Sequence, residues 1–252
     1  MKNPLDMTGR RVLVTGASSG IGKATAKLLA ELGCQVVLVA RNEERLQATR
    51  AEMMGNGHLI KQVDLSDVEC IEDLLKEVVA AVGSLAGLVH CAGLHRTMPI
   101  RFEKPAIDDP LWRTNYFSAV ALVTAFRKPY MHSEHSSVVL VSSVMGLVGQ
   151  PGVSAYCASK GALHAFCRAA ALELAREKVR VNCVAPGFVR AMLSFESQNA
   201  LTLEQLQDIE NYHPLGLGSP EDVANAIVFL LANTGLWITG STLVVDGGYT
   251  AH

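Results

Sequence analysis

The sequence predicts a single α/β domain, residues 1–252, built on a doubly wound, parallel seven-stranded sheet flanked by helices. Three observations carry this. Seven short β-branched runs are separated by segments of helical period. Six of the seven are near-continuously apolar, as strands buried on both faces must be. A glycine-rich turn follows the first run, which favours an open sheet over the eightfold barrel that the length also permits.

In chain order, RVLVTG (11–16) runs through Gly16, Gly20 and Gly22 into an amphipathic helix near 20–32. QVVLVAR (35–41) leads to a helix near 43–54, and HLIKQVD (58–64) to one near 67–82. GLVHCAG (87–93) precedes a long helix near 110–132, and SVVLVSS (137–143) one near 154–177. RVNCVAPG (180–187) is followed by a stretch without strand pattern, about 190–218, then a helix near 220–232 and the last strand, STLVVDGG (241–248). No linker of Pro, Gly or Ser divides the chain, and right-handed crossovers join its parallel strands.

The balance of 22 basic against 24 acidic residues, net charge -2 with no like-charge run, argues against nucleic acid and membrane surfaces as partners. The six cysteines form no CxxC pair and read as reduced thiols, the eight histidines show no metal-site spacing, and no run of eighteen apolar residues occurs. A soluble, cytoplasmic protein with no metal is expected.

The turn GASSGIG supplies glycines that let backbone amides approach a phosphate, and a helix N-terminus that attracts its charge. A dinucleotide is expected there, its pyrophosphate over Gly20, Ile21 and Gly22, with Ser18 and Ser19 lending hydroxyls. In SAYCASK (154–160), Tyr156 and Lys160 stand four apart, on one face of the following helix. That spacing alone fits a plain helix surface as well as a proton donor.

Taken together, TGASSGIG at 15–22, VDL at 63–65, CAG at 91–93, Asn115, VSS at 141–143, YCASK at 156–160, VNCVAPGFV at 181–189 and VDGG at 245–248 resemble the short-chain dehydrogenase/reductase family along nearly the whole chain. The resemblance implies a Rossmann-type fold and a catalytic set of Asn115, Ser143, Tyr156 and Lys160. In it Tyr156 is the acid/base, Ser143 polarises the substrate carbonyl, Lys160 holds the nicotinamide ribose, and Asn115 holds a water that links Lys160 to solvent. Cofactor contacts are expected from Gly16, Asp64, Leu65, Cys91, Ala92, Gly93, Pro186, Gly187 and Val189, the last through its backbone because Ala191 stands where a threonine is common. His95, Met145, Phe188 and Met192 are expected to line the substrate pocket under a lid at about 190–218, with Leu193 and Phe195 adding apolar cover; His90 is expected to pack at a strand end.

A ketone accepting hydride develops negative charge on oxygen, so a phenol of pKa about 10 needs help at neutral pH. An ammonium roughly 5 Å away, at an effective dielectric of about 20, is expected to lower it by about two units. After the second strand, Ala40 replaces the acid that would bind ribose hydroxyls, and Arg41 suits a 2′-phosphate, so NADP(H) is favoured over NAD(H).

The expected activity is NADPH-dependent reduction of a small to medium, partly apolar ketone to a secondary alcohol. A 3-oxoacyl-[acyl-carrier-protein] reductase and a catalytically silent NADP-binding regulatory protein are the alternatives. Against carrier-protein docking stand Glu134 and Glu177 at positions where docking relatives carry arginines, although Arg176 and Lys178 flank the second. A homotetramer or dimer is implied, joined through the helices near 110–132 and 154–177.

Overall fold

A computed structural model of the chain describes residues 3–190 and 203–251. Seven parallel strands run β1 (Arg11–Thr15), β2 (Gln35–Ala40), β3 (Leu59–Gln62), β4 (Leu85–His90), β5 (His132–Val141), β6 (Arg180–Pro186) and β7 (Thr242–Val245). Their order in the sheet is β3-β2-β1-β4-β5-β6-β7. The order reverses between β1 and β4, and at such a switch point the loops at the strand C-termini splay apart into a crevice.

The expected parallel, doubly covered sheet is therefore present, and the continuous apolar runs have the reason given for them. Val12, Val14, Val36 and Leu38 pack on one face with helix α1 (Gly20–Glu31) and helix α8 (Pro220–Leu231). Leu13, Val37, Leu88 and Leu140 pack on the other with α3 (Ile71–Val82), α5 (Ser118–Phe126) and α6 (Ser154–Leu174). Helix α2 (Glu43–Ala51), capped by the Asn42 side chain on Arg45 N–H, follows β2.

One predicted helix is corrected. The segment near 110–132 is α4 (Pro105–Trp112), a π-helical turn (Arg113–Phe117) and α5, which ends at Phe126. Tyr130 then takes a left-handed backbone, φ 70°, and β5 already begins at His132. The first residues of β5, His132 to Ser137, are polar and carry no strand pattern, and pairing with β4 shifts register between Leu85 and Gly87. The segment about 190–218 also contains a helix, α7 (Leu203–Asn211). No described helix is long and apolar enough to cross a membrane.

Candidate active site

The crevice is assembled from the ends of β1, β4, β5 and β6. Thr15, the last residue of β1, is fully buried, and its hydroxyl accepts from the N–H groups of Cys91 and Ala92, each at 3.1 Å. With both lone pairs used, its proton faces His90 Nδ1 at 3.0 Å. His90 thus carries hydrogen on Nε2, toward Ser118 Oγ at 3.3 Å. Burial first, and the Lys160 charge second, push the His90 pKa down to about 3, so this ring is a neutral strut at the end of β4.

The suture at Thr15 brings the two glycine loops together. A Cβ on Gly16, whose φ is +64°, would lie 3.0 Å from Ala92 N, and one on Gly22 would lie 2.3 Å from the Gly16 carbonyl oxygen. Helix α1 can start this close to the strand only with glycine at both places. Its N-cap, Ser19, makes no side-chain cap bond, and its first turn holds no acid. The N-terminal amides of a 12-residue helix therefore face the crevice without an internal counter-charge. Ser18, Ser19, Gly20, Ile21 and Gly22 form a cradle that fits a pyrophosphate.

Beyond β2, Ala40 offers no carboxylate and Asn42 is spent capping α2, which leaves exposed Arg41 as the first charged side chain after the strand, ahead of Glu43 and Glu44 in the first turn of α2. Asp64 is exposed, and its Oδ1 accepts from Ser66 N–H (2.9 Å) and Ser66 Oγ (2.8 Å), bonds that hold its carboxyl below the usual range. Leu65 packs into the core with α3, 4% exposed.

The catalytic candidates meet where α6 lies against the end of β5. A Cβ on Gly146 would be 2.8 Å from the Lys160 carbonyl carbon, so glycine is required for this approach. Ser142 Oγ donates to the Lys160 carbonyl oxygen at 2.8 Å, and Lys160 Nζ donates to the Val141 carbonyl oxygen at 2.9 Å. Ser143 is thereby turned toward Tyr156, and its Oγ also accepts from Met145 N–H at 3.1 Å. Lys160 Nζ sits 5.8 Å from the centre of the Tyr156 ring.

Tyr156 is 5% exposed and Lys160 4%. Burial drives the two pKa values in opposite directions: the Lys160 ammonium is pushed down to about 8, and the Tyr156 phenol is pushed up, only partly offset by the Ser143 hydroxyl. The expected lowering of Tyr156 by the lysine is thus corrected. Loss of solvent sets the direction, and the Lys160 Nζ is directed at the Val141 carbonyl. Burial also holds the Cys91 thiol up at about 12.

Asn115 is held by protein groups. It lies in the π-helical turn, fully buried, and its side chain is engaged by protein: Oδ1 accepts from Leu94 N–H (2.7 Å), while Nδ2 donates to Leu94 O (3.0 Å) and Ser159 Oγ (3.0 Å). Its amide clamps the loop after β4 to α6, with both Nδ2 protons used and one Oδ1 lone pair remaining. Gly93 fits between this amide and the lysine, since a Cβ there would lie 3.4 Å from both Asn115 Oδ1 and Lys160 Nζ.

Of the pocket candidates, His95 stands edge-on to Tyr156 with ring centres 4.8 Å apart, and Met145 and Phe188 pack in one cluster with Tyr156. Met192, Ala191, Leu193 and Phe195 lie outside the described residues. Leu111, Val144 and Tyr249 join the cluster without having been foreseen. At the end of β6, Gly187 N–H donates to Val245 O, and Phe188 and Arg190 bracket Gly218 in a parallel bridge. That pattern turns the N–H and C=O of Val189 itself to the opposite side. Among the described residues no cluster of three or more His, Cys, Asp or Glu side chains forms a metal site.

A parallel seven-stranded sheet with this glycine turn and this Ser-Tyr-Lys cluster defines a class of nucleotide-dependent oxidoreductases, and comparison with known proteins agrees. Residues 16–250 match the family model described as "Enoyl-(Acyl carrier protein) reductase". A 3-oxoacyl-[acyl-carrier-protein] reductase of Bos taurus is 36% identical, covering 93% of this chain and 95% of its own. The enzyme of that name from Escherichia coli K12 is 34% identical, covering 97% and 98%. A solved Sinorhizobium meliloti structure described as a short-chain alcohol dehydrogenase superposes with a TM-score of 0.92 at 32% identity, over 99% of both chains. The chain belongs to the short-chain dehydrogenase/reductase family and is an oxidoreductase.

The Lys160 shift has a consequence for stability. Its folded pKa, about 8, lies below the unsupported 10.5, so burying the ammonium costs stability throughout pH values below 8, and the cost is relieved as pH rises from 8 to 10.5. At pH 7, Lys160→Met is expected to stabilise the fold by roughly 1–3 kcal/mol while removing activity. Denaturant titrations of both proteins should show this margin narrowing above pH 8. A variant less stable than wild type at pH 7 contradicts the assignment.

Proposed function

We propose that the protein reduces a ketone to a secondary alcohol with NADPH, reversibly, and that Tyr156 is the acid/base. The observation that carries this reading is the Tyr156 phenol in a desolvated cluster, 5% exposed, with Lys160 Nζ 5.8 Å from its ring and the Ser143 hydroxyl beside it. Bound NADPH supplies the hydride. Tyr156, kept protonated by its burial, donates to the carbonyl oxygen as charge develops there, and Ser143 orients and polarises that oxygen. Lys160 remains cationic at neutral pH and holds the nicotinamide ribose hydroxyls.

Gly16, Ser18, Ser19, Gly20, Ile21 and Gly22 take the pyrophosphate, Asp64 and Leu65 the adenine side, and Cys91, Ala92 and Gly93 the middle of the cofactor. Pro186, Gly187 and the outward backbone of Val189 take the carboxamide. Arg41, without an acid at Ala40, favours the 2′-phosphate. His95, Met145 and Phe188, joined by Tyr249, make an apolar and aromatic wall suited to an uncharged ketone. Asn115 acts as a positioning residue for the Leu94 loop. Exposed Phe117 and Leu172, beside α5 and on α6, support a homotetramer or dimer. All six cysteines are free thiols, which suits the cytoplasm.

A second reading, reduction of a 3-oxoacyl group on its carrier protein, is favoured by the names of the curated relatives. The charge pattern at the start of β5 and just after α6, at the end of the sheet opposite the crevice, argues for a free substrate instead. Lys178 is paired with Glu134 at 2.5 Å and Arg127 with Glu177 at 3.0 Å, so among the described residues exposed Arg176 is the unmatched cation of the three that would meet an acidic carrier.

Three outcomes are expected. Tyr156→Phe lowers kcat by roughly 10²–10⁴-fold and leaves NADPH affinity nearly unchanged; a variant retaining most of its reductase activity refutes the role. Steady-state kinetics with both cofactors should show kcat/KM favouring NADPH, with Ala40→Asp plus Arg41→Ala moving the preference toward NADH. A parent that already prefers NADH sinks the reading of that turn. Short thioester mimics should be reduced about as efficiently as carrier-bound β-ketoacyl groups, with little salt dependence. A large carrier advantage eroded by salt establishes the second reading.

A further inference from the structure

His213 lies outside every motif of the sequence, yet it is 3% exposed and makes directional bonds through both ring nitrogens. Its Nδ1 is 2.6 Å from the Ile209 carbonyl oxygen, which can only accept, so the proton is on Nδ1. Its Nε2 accepts from the Phe188 N–H at 3.2 Å. The ring stacks on Tyr249 with centres 4.8 Å apart and meets the Phe188 ring edge-on at 5.7 Å. A Cβ on Gly187 would stand 3.0 Å from Nε2, so the backbone passes directly over the imidazole edge.

Three separate pieces of chain therefore meet on one ring: the end of α7 through Ile209, the turn after β6 through Gly187 and Phe188, and the C-terminal turn through Tyr249. The C-terminal turn is itself fixed, since Asp246 accepts from the N–H groups of Gly248 and Thr250. We infer that His213 is a positioning residue for the cofactor, holding the Gly187–Val189 backbone in the register that presents Val189 to the nicotinamide carboxamide. The inference rests on the nicotinamide reading of that turn. It explains how this chain fixes the carboxamide site with Ala191 next to it, a side chain that can donate no hydrogen bond. The same bond fixes Phe188, whose ring packs in the cluster around Tyr156.

The test uses the full chain and fluorescence titration with NADPH, alongside kcat and KM for a reducible ketone. His213→Leu fills the space but leaves the Phe188 N–H without its acceptor. It is expected to raise the NADPH dissociation constant about tenfold, with kcat at saturating NADPH largely retained. His213→Gln, whose side-chain oxygen can accept the same N–H, is expected to recover most of the lost affinity. A merely structural role would lower the active fraction or the melting temperature of both variants without separating affinity from kcat. Unchanged NADPH affinity in His213→Leu, or equal losses in the Leu and Gln variants, overturns the inference alone. A wild-type protein that does not bind NADPH overturns the cofactor reading and this inference with it.

Discussion

The architecture of the site follows from one costly constraint, an ammonium held in the interior. Lys160 is 4% exposed, and its charge is matched by a single described side-chain bond, to the Val141 carbonyl at the end of β5. A buried cation without a carboxylate partner survives only where the surrounding backbone is fixed well enough to supply oriented dipoles. The chain meets that demand by bringing α6 into backbone contact with the turn after β5. Gly146 permits the approach and Ser142 ties it.

The same approach places the remaining groups. With β5 and α6 locked, Ser143 is held beside Tyr156, its Oγ accepting from Met145 N–H. On the other side, Asn115 spends its amide on Leu94 and Ser159, which fixes the loop carrying Gly93 and His95 against the lysine. The π-helical turn makes this possible, since one extra residue in the turn points Asn115 inward. Thr15 then joins that loop to the glycine turn. The glycine turn and Tyr156 are thus parts of one hydrogen-bonded frame. In it burial raises the phenol and lowers the amine, and both stay in the protonation states that the proposed carbonyl reduction needs at neutral pH.

Much of this was legible in the sequence because it is local. Strand runs buried on both faces are continuously apolar, and the glycine turn and the Tyr156–Lys160 spacing each fall within a few residues. What escaped depends on contacts far apart in the chain. Thr15 meets Cys91 and Ala92 across 76 and 77 positions, and His213 meets Phe188 across 25. The helix drawn through to 132 failed because the opening of β5 is polar, so its strand character comes from pairing with β4 and not from its own pattern. The direction of the Tyr156 shift failed for a related reason. Spacing puts the lysine on the same helix face, but only the packed structure shows that burial sets the direction of the phenol and that the ammonium faces Val141.

The central claim, that the site is organised around a desolvated lysine, is tested most directly by following the Lys160 side chain itself. An NMR pH titration of the lysine ε-carbons, with the Lys160 signal assigned by its loss in a substituted protein, should give a midpoint of about 8 in the folded chain. A midpoint at the ordinary lysine value of about 10.5 would show the ammonium to be solvated, and would contradict the account.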